Sequence, residues 1–325
     1  MSLIKRPQDL EAPKSVRMLI YGQPGLGKST LALSAPSALL LDFDGGVHRV
    51  SASHQGDTLQ VRSWDDVIAV LDEDLSAYKT LIIDTAGKAL DFMSAYIIAK
   101  DPKKGSRDGQ LALQGYGARK GMFQKFVAQA SLMGKHLVFV AHDKEEKDGD
   151  TKIIRPEIGG SSAGDLIKEL DLVGYMEAQG KKRTISFDPC EKFYGKNTCG
   201  LDSLYTLPDV TTSPNTFLQA VLGKFAENAE ARKSVLVEYN GLMDKIRGSV
   251  NSIVDAATAN TFVDSIPGLS HIWDSKIQAA HLLRDKAGIL GLTLNKARKY
   301  EDAPETVGAV DAPSFSASAA EATLA

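Results

Sequence analysis

The feature that most constrains the fold of this chain is a glycine-rich segment, Gly22-Gln23-Pro24-Gly25-Leu26-Gly27-Lys28-Ser29. It fits the spacing GxxxxGK[ST] at every fixed position. The apolar run MLIY precedes the segment, and the helix-favouring stretch STLALSA follows it. A strand, a glycine-rich turn and a helix in this order are the context that the motif requires. The segment therefore predicts a phosphate-binding loop, or P-loop, at the end of a buried strand.

The chemistry of phosphate binding explains this spacing. Glycines allow successive backbone N–H groups to turn inward around the phosphates, and the following helix directs its positive end toward them. The Lys28 ammonium is placed to reach the outer phosphates, and the Ser29 hydroxyl is a ligand for Mg²⁺. We therefore expect ATP and Mg²⁺ as cofactors, held by Gly22 through Ser29 and by Thr30, the next residue.

Carboxylates at two other strand ends complete the predicted site. Asp84 ends the apolar run LIID and is the candidate for the second metal-binding residue beside Ser29. Asp42 and Asp44 lie in LLLDFDGG, where the next strand ends. Asp44 is the stronger candidate for orienting and deprotonating the attacking water. A solvated aspartate at Asp84 and a plain Asp-Gly turn after Asp44 are the alternatives.

The rest of the chain predicts an α/β fold. Short, fully apolar runs alternate with helical segments over the first two hundred residues, which is typical of a mostly parallel sheet with helices on both faces. Leu170–Met176 and Lys182–Phe187 continue the sheet, as an antiparallel edge. From about Asn215 the apolar residues follow helical spacing. We therefore expect a P-loop core over residues 1–210, a helical region over 211–300, and an acidic, disordered tail over 301–325.

Composition excludes several classes of protein. The 38 basic and 41 acidic residues give a net charge of −3, so any nucleic-acid contact must be local. The spacing of Cys190 and Cys199 is not CxxC, which argues against zinc. The sequence contains no signal-peptide-like segment and no apolar run long enough for a membrane span. We expect no membrane association and a cytoplasmic location.

The order of further motifs resembles a known family. P-loop, LLDFDGG, LIIDT, GYGARKGMF, VFVAHDKEE, RPEIGG and LDLVGYME follow one another between about Leu3 and Pro208. This order is similar to the RecA-like ATPases of tailed phages, in particular the Sak-type single-strand annealing ATPases, and to phage AAA-domain ATP-binding proteins. The resemblance implies a RecA-like core that acts on single-stranded DNA in recombination or replication and assembles as a ring or filament.

The resemblance also suggests roles for two site residues. Asp44 falls where RecA-like proteins place a water-activating glutamate, and the shorter aspartate implies slow hydrolysis or a different geometry. His142 ends VFVAH, where RecA-like proteins often place a polar sensor of the γ-phosphate. The alternative for His142 is a surface histidine at a strand end.

Two segments are candidates for contact with DNA. Residues 100–125 contain seven basic and two acidic residues, and a tyrosine that can stack on a base. The candidate contacts in this segment are Lys103, Lys104, Arg107, Tyr116, Arg119 and Lys120. A solvated loop is the alternative. The second segment, Asp143–Ile158, carries four bases and six acids and is predicted as a surface hairpin. The helical region suggests an assembly platform or a second DNA surface.

A basic pair near the end of the core suggests contact between subunits. Lys181 and Arg183 follow LDLVGYMEAQ, and we predict that both lie on one face of the final strand. In RecA-like rings a similar pair reaches the γ-phosphate of the neighbouring subunit, where an arginine stabilises the charge of the transition state. The alternative is a basic hairpin tip facing solvent.

Three functions remain open from the sequence. The first is a DNA-dependent ATPase that promotes annealing or strand exchange, with a single-strand-binding or replication protein as a further partner. The second is a P-loop nucleotide or metabolite kinase, against which the lack of an arginine-rich lid argues. The third is a non-hydrolysing, ATP-dependent scaffold for replication proteins.

Overall fold

The computed structural model describes residues 4, 5, 10, 13–148, 151–159 and 162–302 of the chain. The strands are β1 (Arg17–Gly22), β2 (Ala38–Asp42), β3 (Thr58–Gln60), β4 (Thr80–Asp84), β5 (His136–Asp148), β6 (Thr151–Pro156), β7 (Leu172–Gln179), β8 (Lys182–Ser186), β9 (Lys196–Asn197), β10 (Leu204–Thr206), β11 (Thr293–Leu294) and β12 (Tyr300–Glu301). The helices are α1 (Lys28–Ala32), α2 (Trp64–Leu71), α3 (Ala86–Lys100), α4 (Leu113–Leu132), α5 (Ser162–Glu169), α6 (Phe217–Asn251), α7 (Ala256–Ser265) and α8 (Ser275–Ile289).

A large central sheet organises the first two hundred residues. Its strand order is β10-β8-β7-β1-β5-β4-β2-β3, and the strands from β7 to β3 run parallel to one another. The antiparallel members are β8 and, on separate branches, β6 and β9. Parallel strands joined by helices bury both faces of a sheet, which is why β1, β4 and the first half of β5 are continuous apolar runs. The predicted α/β class and mostly parallel sheet are confirmed.

Two separate cores cover the two faces of this sheet. On one face, Leu19 and Ile83 pack in a cluster with Trp64 of α2, Met93 of α3 and Phe126 of α4. On the other face, side chains of β1 and β8 pack with α1 and with the first turns of α6, among them Ile20, Ile185, Leu31, Leu218 and Phe225. Helices therefore cover both faces, as predicted.

Helix α2 begins with a capping box, in which Asp66 accepts hydrogen bonds from the backbone N–H groups of Arg62 and Ser63, and it ends at Leu71. The position of one strand differs from the prediction. The strand β7 is not an edge: it runs parallel to β1 in the interior of the sheet, and β8 supplies the antiparallel neighbour. The segment after His142 forms the predicted hairpin through the pairing of β5 with β6.

The described chain divides into two compact units. One comprises residues 10–233, and the other comprises residues 234–302 with residues 4 and 5. The second unit has its own core, in which Met243 and Ile246 of α6 pack with Phe262 of α7 and Leu283 of α8. The predicted helical region is thus present, and the domain boundary at residue 210 stays a prediction. Nearly all of the predicted acidic tail, 301–325, lies outside the described residues. None of the described helices combines the length and apolar character needed to cross a bilayer.

Candidate nucleotide site

Strand register brings the predicted site residues to one edge of the sheet. Gly22, the last residue of β1, lies opposite His142 of β5. On the next strand Asp84 lies opposite Val140, and Asp42 of β2 lies opposite Asp84. The carboxyl ends of neighbouring parallel strands are where open α/β sheets bind ligands. Residues that lie 20 to 120 positions after Gly22 in the sequence therefore converge on the P-loop.

Two glycines of the P-loop meet conformational demands that other residues resist. Gly22 has φ 155°, and a Cβ there would collide with the Met176 carbonyl oxygen of the neighbouring strand. Gly27 has φ 87° and is the N-cap of α1, in the left-handed region. Only glycine reaches that region without a steric penalty. The loop therefore turns into α1 with its backbone N–H groups directed toward the predicted phosphate position.

Lys28 is buried beneath the loop, with 6% of its surface exposed. Its Nζ donates hydrogen bonds to the Gly22 carbonyl at 2.7 Å and to the Gln23 carbonyl at 2.8 Å. Burial lowers the pKa of Lys28, while the charges of Asp143 and Asp84 act in the opposite direction. The ammonium is therefore held at the mouth of the P-loop by backbone carbonyls that an anionic ligand can replace.

Ser29 and Asp84 form a direct pair of oxygen donors. The Ser29 hydroxyl donates to Asp84 Oδ2 at 2.5 Å. Burial raises the pKa of Asp84, the Ser29 hydrogen bond counteracts that effect, and the charges of Asp42 and Asp44 add to it. A hydroxyl and a carboxylate are the hard ligands that Mg²⁺ takes beside substrate phosphates and water. The pair fits Mg²⁺, which when bound would neutralise charge on the phosphate oxygens.

The loop after β2 is fixed by Asp42 and presents Asp44. The Asp42 carboxylate accepts hydrogen bonds from the backbone N–H groups of Asp44, Gly46 and Val47 at 3.0–3.2 Å. Asp42 is thus engaged in holding the loop. The half-buried Asp44 carboxylate faces the P-loop and forms an ion pair of 3.3 Å with Arg49 Nη1.

A cavity of about 230 Å³ lies between these groups. It is lined by Pro24, Gly25, Gly27, Lys28, Ser29, Thr30, Asp44, Gly46, Arg49, Val50, Asp84, Thr85, Val140 and His142. His142 is half-buried, and its Nδ1 has no hydrogen-bond partner among the described residues. The structure therefore brings together the predicted phosphate-binding, metal-binding, water-activating and sensor residues around one space.

Arg49 is the main lining residue that the sequence analysis missed. It belongs to a short 3₁₀ helix, Val47–Arg49, that follows the DFDGG turn. The only local signal was a basic residue shortly after Asp44, which is too common to be diagnostic. The sequence predicts Asp143 only as part of a surface hairpin, whereas in the structure its charge opposes the larger effect of burial, which lowers the pKa of Lys28.

The predicted Lys181–Arg183 pair is not on one strand face. Lys181 lies in the turn between β7 and β8, because Gln179 pairs with Lys182 across the hairpin. One face of β8 is directed toward α1 and carries Arg183 and Ile185. Ile185 is buried in the core beside α1. The Arg183 Nη1 atom lies 3.7 Å from the position that a Cβ would occupy at Gly27 of the same chain. The contact with a neighbouring subunit stays a prediction.

The basic segment 100–125 spans the end of α3, a connecting tip and the start of α4. We call residues 101–112 the α3–α4 tip. The Phe123 ring packs on Phe139, which lies level with Ile83 near the carboxyl end of β4. The ten residues of α4 before Phe123 span about 15 Å at 1.5 Å per residue. Since α4 ends near the opposite edge, where β5 starts at His136, these residues extend beyond the edge that carries the P-loop.

The candidate DNA-binding side chains differ in accessibility. Lys103, Arg107 and Lys120 are exposed, and Lys104 is half-buried with its Nζ 3.6 Å from Asp101. Arg119 is only 6% exposed, and it donates to Ser94 Oγ at 3.2 Å. Tyr116 stacks on the Arg119 guanidinium at 4.9 Å. The structure corrects the assignment of Arg119: it joins α4 to α3, because packing of the two helices encloses it.

Comparisons with known proteins identify a family for this chain. A family described as "AAA domain" matches residues 14–199, which is more than half of the chain. Among solved structures, the chain is similar to a KaiC-like protein from the hyperthermophilic archaeon Pyrococcus horikoshii. The two share 12% sequence identity, with 59% of this chain and 89% of that chain covered and a TM-score of 0.34. No curated protein sequence matches this chain significantly. The family match spans the P-loop, Asp84, His142 and the hairpin of β7 and β8, and the chain belongs to the AAA-domain family.

Proposed function

We propose that this protein is a Mg²⁺-dependent ATPase that acts on single-stranded DNA in phage recombination or replication. The observation that carries the ATPase part is the convergence of Lys28, Ser29, Asp84, Asp44 and His142 around one cavity. Family membership supports nucleotide binding. The DNA part is supported by the exposed basic side chains of the α3–α4 tip and by the resemblance to RecA-like annealing ATPases.

The proposed binding step exchanges internal contacts of the P-loop for contacts with phosphate. The Lys28 ammonium leaves the Gly22 and Gln23 carbonyls and binds the outer phosphate oxygens, where the charge is greater. The hydroxyl of Ser29 and the carboxylate of Asp84 would hold Mg²⁺, which would supply positive charge beside the phosphates. Ser29 and Asp84 are already adjacent in the free protein, so this pair needs little reorganisation on binding.

In the proposed hydrolytic step, Asp44 orients water and accepts its proton. Its carboxylate borders the cavity opposite the P-loop, and Asp42 holds the loop that carries it. His142 lies across from Gly22, and its buried Nδ1 has no hydrogen-bond partner among the described residues. In the proposed complex a ring N–H of His142 donates to a γ-phosphate oxygen, which can only accept. The 3.3 Å ion pair between Arg49 and Asp44 limits that carboxylate's freedom before nucleotide binds.

Single-stranded DNA is proposed to bind at the α3–α4 tip. Lys103 and Arg107 are exposed there, and the tip lies beyond the same sheet edge as the P-loop. Cations that track phosphates suit a strand of any sequence. We further propose that the protein works as a homo-oligomer, either a ring or a filament, and meets a single-strand-binding or replication protein on DNA.

The test is steady-state ATP hydrolysis by the full chain, with and without single-stranded DNA and with Mg²⁺ varied. Stimulation by single-stranded DNA is expected. Phosphoryl transfer to a small acceptor would instead indicate a kinase, and ATP binding without turnover would indicate a scaffold. Either result would contradict the proposal.

Lys28→Ala is the essential control for the site assignment. We expect it to abolish nucleotide-dependent activity with the fold intact, because it removes the buried ammonium at the P-loop. Lys79→Ala removes an exposed lysine next to β4 at the opposite edge of the sheet and should leave hydrolysis unchanged. Full turnover by Lys28→Ala would overturn the assignment.

A further inference from the structure

The hairpin of β7 and β8 rises beside the P-loop. Met176 of β7 lies opposite Gly22, where β1 ends, and β7 continues for three more residues to Gln179. The chain turns at Gly180, which has φ 61°, and returns as β8 from Lys182. Since β7 is the direct neighbour of β1, the hairpin extends past the P-loop edge next to the start of α1.

Strand alternation turns Arg183 toward α1. Side chains two residues apart share a face of a strand. Ile185 and Phe187 are buried in the same core as Leu31 and Ala32 of α1. Arg183, two residues before Ile185 and nearer the hairpin tip, therefore lies on that face and level with the beginning of α1. Its Nη1 atom, 3.7 Å from the Cβ position of Gly27, agrees with this placement.

The Arg183 guanidinium is exposed and available for a ligand. Its side chain forms no hydrogen bond or ion pair of 4.0 Å or less with any residue that the structure describes. The pKa of Asp209 is lowered mainly by its hydrogen bonds with Thr211, and the charge of Arg183 adds to that effect without a hydrogen bond. Arg49, on the other side of the P-loop, is by contrast already paired with Asp44.

We propose that Arg183 binds the phosphates of the nucleotide held by its own chain, rather than those of a neighbouring subunit. This inference rests on the proposed function, since it needs a nucleotide in the P-loop. Gly27 caps the helix end at which the phosphates gather. A guanidinium beside it offers two parallel N–H donors to phosphate oxygens, a stronger contact than lysine makes. The β7–β8 hairpin then acts as one wall of the nucleotide site.

Nucleotide affinity tests this directly. ATP and ADP binding are measured by calorimetry with the full-length protein, for the wild type, Arg183→Ala and Arg183→Lys. Loss of a charge-assisted contact predicts about tenfold weaker binding of both nucleotides to Arg183→Ala, with Arg183→Lys in between. Lys182→Ala is the matched control, because Lys182 is the exposed preceding residue on the opposite strand face. Circular dichroism checks that each variant is folded.

A mixing experiment separates the two possible directions of contact. If Arg183 serves its own chain, a mixture of Arg183→Ala with Lys28→Ala hydrolyses ATP no faster than Arg183→Ala alone, because the Arg183 of a Lys28→Ala chain contacts only its own defective site. Recovery of hydrolysis in the mixture would overturn the inference in favour of a shared site. Unchanged affinity of Arg183→Ala for both nucleotides would also overturn it. Failure of the wild type to bind ATP would contradict the proposed function itself, so the two failures are distinguishable.

Discussion

At the scale of single residues, the site is built from charges that folding has removed from water. Lys28 and Asp84 are 6% and 8% exposed, and burial is the largest influence on the pKa of each. Burial disfavours the charged form of both groups, lowering one pKa and raising the other. Such groups lower the free energy of unfolding of the protein without ligand. Ligand binding raises that free energy again, because the ligand interacts with the buried charges.

Replacing Asp84 should therefore separate stability from activity. Asp84→Asn keeps an acceptor for the Ser29 hydroxyl but removes the buried charge, so we expect a higher Tm without nucleotide. The same change removes a metal-binding carboxylate, and we expect Mg²⁺-dependent ATP hydrolysis to be lost. Thermal unfolding and ATPase assays on the same preparation measure both effects.

The stabilisation by Asp84→Asn should depend on pH in a defined direction. The folded-state pKa of Asp84 is raised, so its ionisation opposes folding. Below the ordinary carboxyl pKa of about 4, the carboxyl is protonated in both states and the two proteins should have equal stability. As the pH rises through and above that value, the unfolded chain ionises first, and the advantage of the variant should grow. A constant difference from pH 3 to pH 7 would contradict this explanation.

Asp44 offers a test of the chemical step alone. Asp44→Asn keeps the shape of the side chain but cannot accept the proton, so kcat should fall by about 10²- to 10⁴-fold while ATP still binds. Asp108→Asn, a neutralised and exposed aspartate in the α3–α4 tip, should retain normal turnover in the absence of DNA. Single-turnover hydrolysis with excess enzyme gives the rate, and unchanged turnover by Asp44→Asn would exclude it as the base.

At the scale of elements, α3 and α4 form a helical pair that carries cations beyond the sheet. Where the two helices face the sheet they belong to the hydrophobic core, since Leu90 and Met93 of α3 pack in one cluster with Phe123 of α4. Its tip instead exposes Lys103 and Arg107. Arg119 belongs to the inner contacts, although the sequence alone places it among the surface cations.

Removing the tip cations should weaken DNA binding in a salt-dependent way. Lys103, Lys104 and Arg107 are replaced together by alanine. A plot of the logarithm of the DNA-binding constant against the logarithm of the salt concentration has a negative slope, and each lost phosphate contact should make that slope shallower by about 0.7. Fluorescence anisotropy with a labelled single strand, repeated over a range of salt, measures the slope. Wild-type affinity and slope would mean that DNA binds elsewhere.

Arg119→Ala is compared with the triple alanine variant of the α3–α4 tip. It removes the hydrogen bond to Ser94 and the stack on Tyr116, so it should lower Tm while leaving the salt slope unchanged. The pair of variants therefore separates a loss of DNA contacts from a loss of packing between α3 and α4.

At the scale of the whole molecule, the compact unit over residues 10–233 contains both sheet cores and the complete candidate site. We therefore expect a chain of residues 10–233 to fold and to bind ATP without the second unit. At ATP concentrations of 100 times Kd, binding should raise its free energy of unfolding by about 2.7 kcal/mol. Denaturant titrations with and without ATP and Mg²⁺ measure this. An unfolded or non-binding product would show that the second unit is required.

The P-loop, the apolar strands and the strand-end aspartates could all be predicted from the sequence. These features are encoded locally: the glycine spacing sets the backbone of Gly22–Ser29, and continuous apolar runs such as LIID identify strands buried on both faces. Because parallel strands end at a common edge, even the convergence of Asp84 and Asp44 on the P-loop was predictable. The parallel pairing of β7 with β1 was not predictable, because it joins residues about 150 positions apart and no local pattern specifies it.

The surroundings of three arginines depend on the tertiary fold and could not be predicted from the sequence. Arg49 pairs with Asp44 because the Asp42 carboxylate folds the intervening loop back on itself. Arg119 is buried because α3 packs over it, and Arg183 faces Gly27 because the register of β8 puts it on the α1 face. From the sequence alone, an arginine is predicted to be a surface cation whatever its neighbours are. Whether it meets solvent, a carboxylate or a ligand depends on strand register and helix packing between residues distant in the chain.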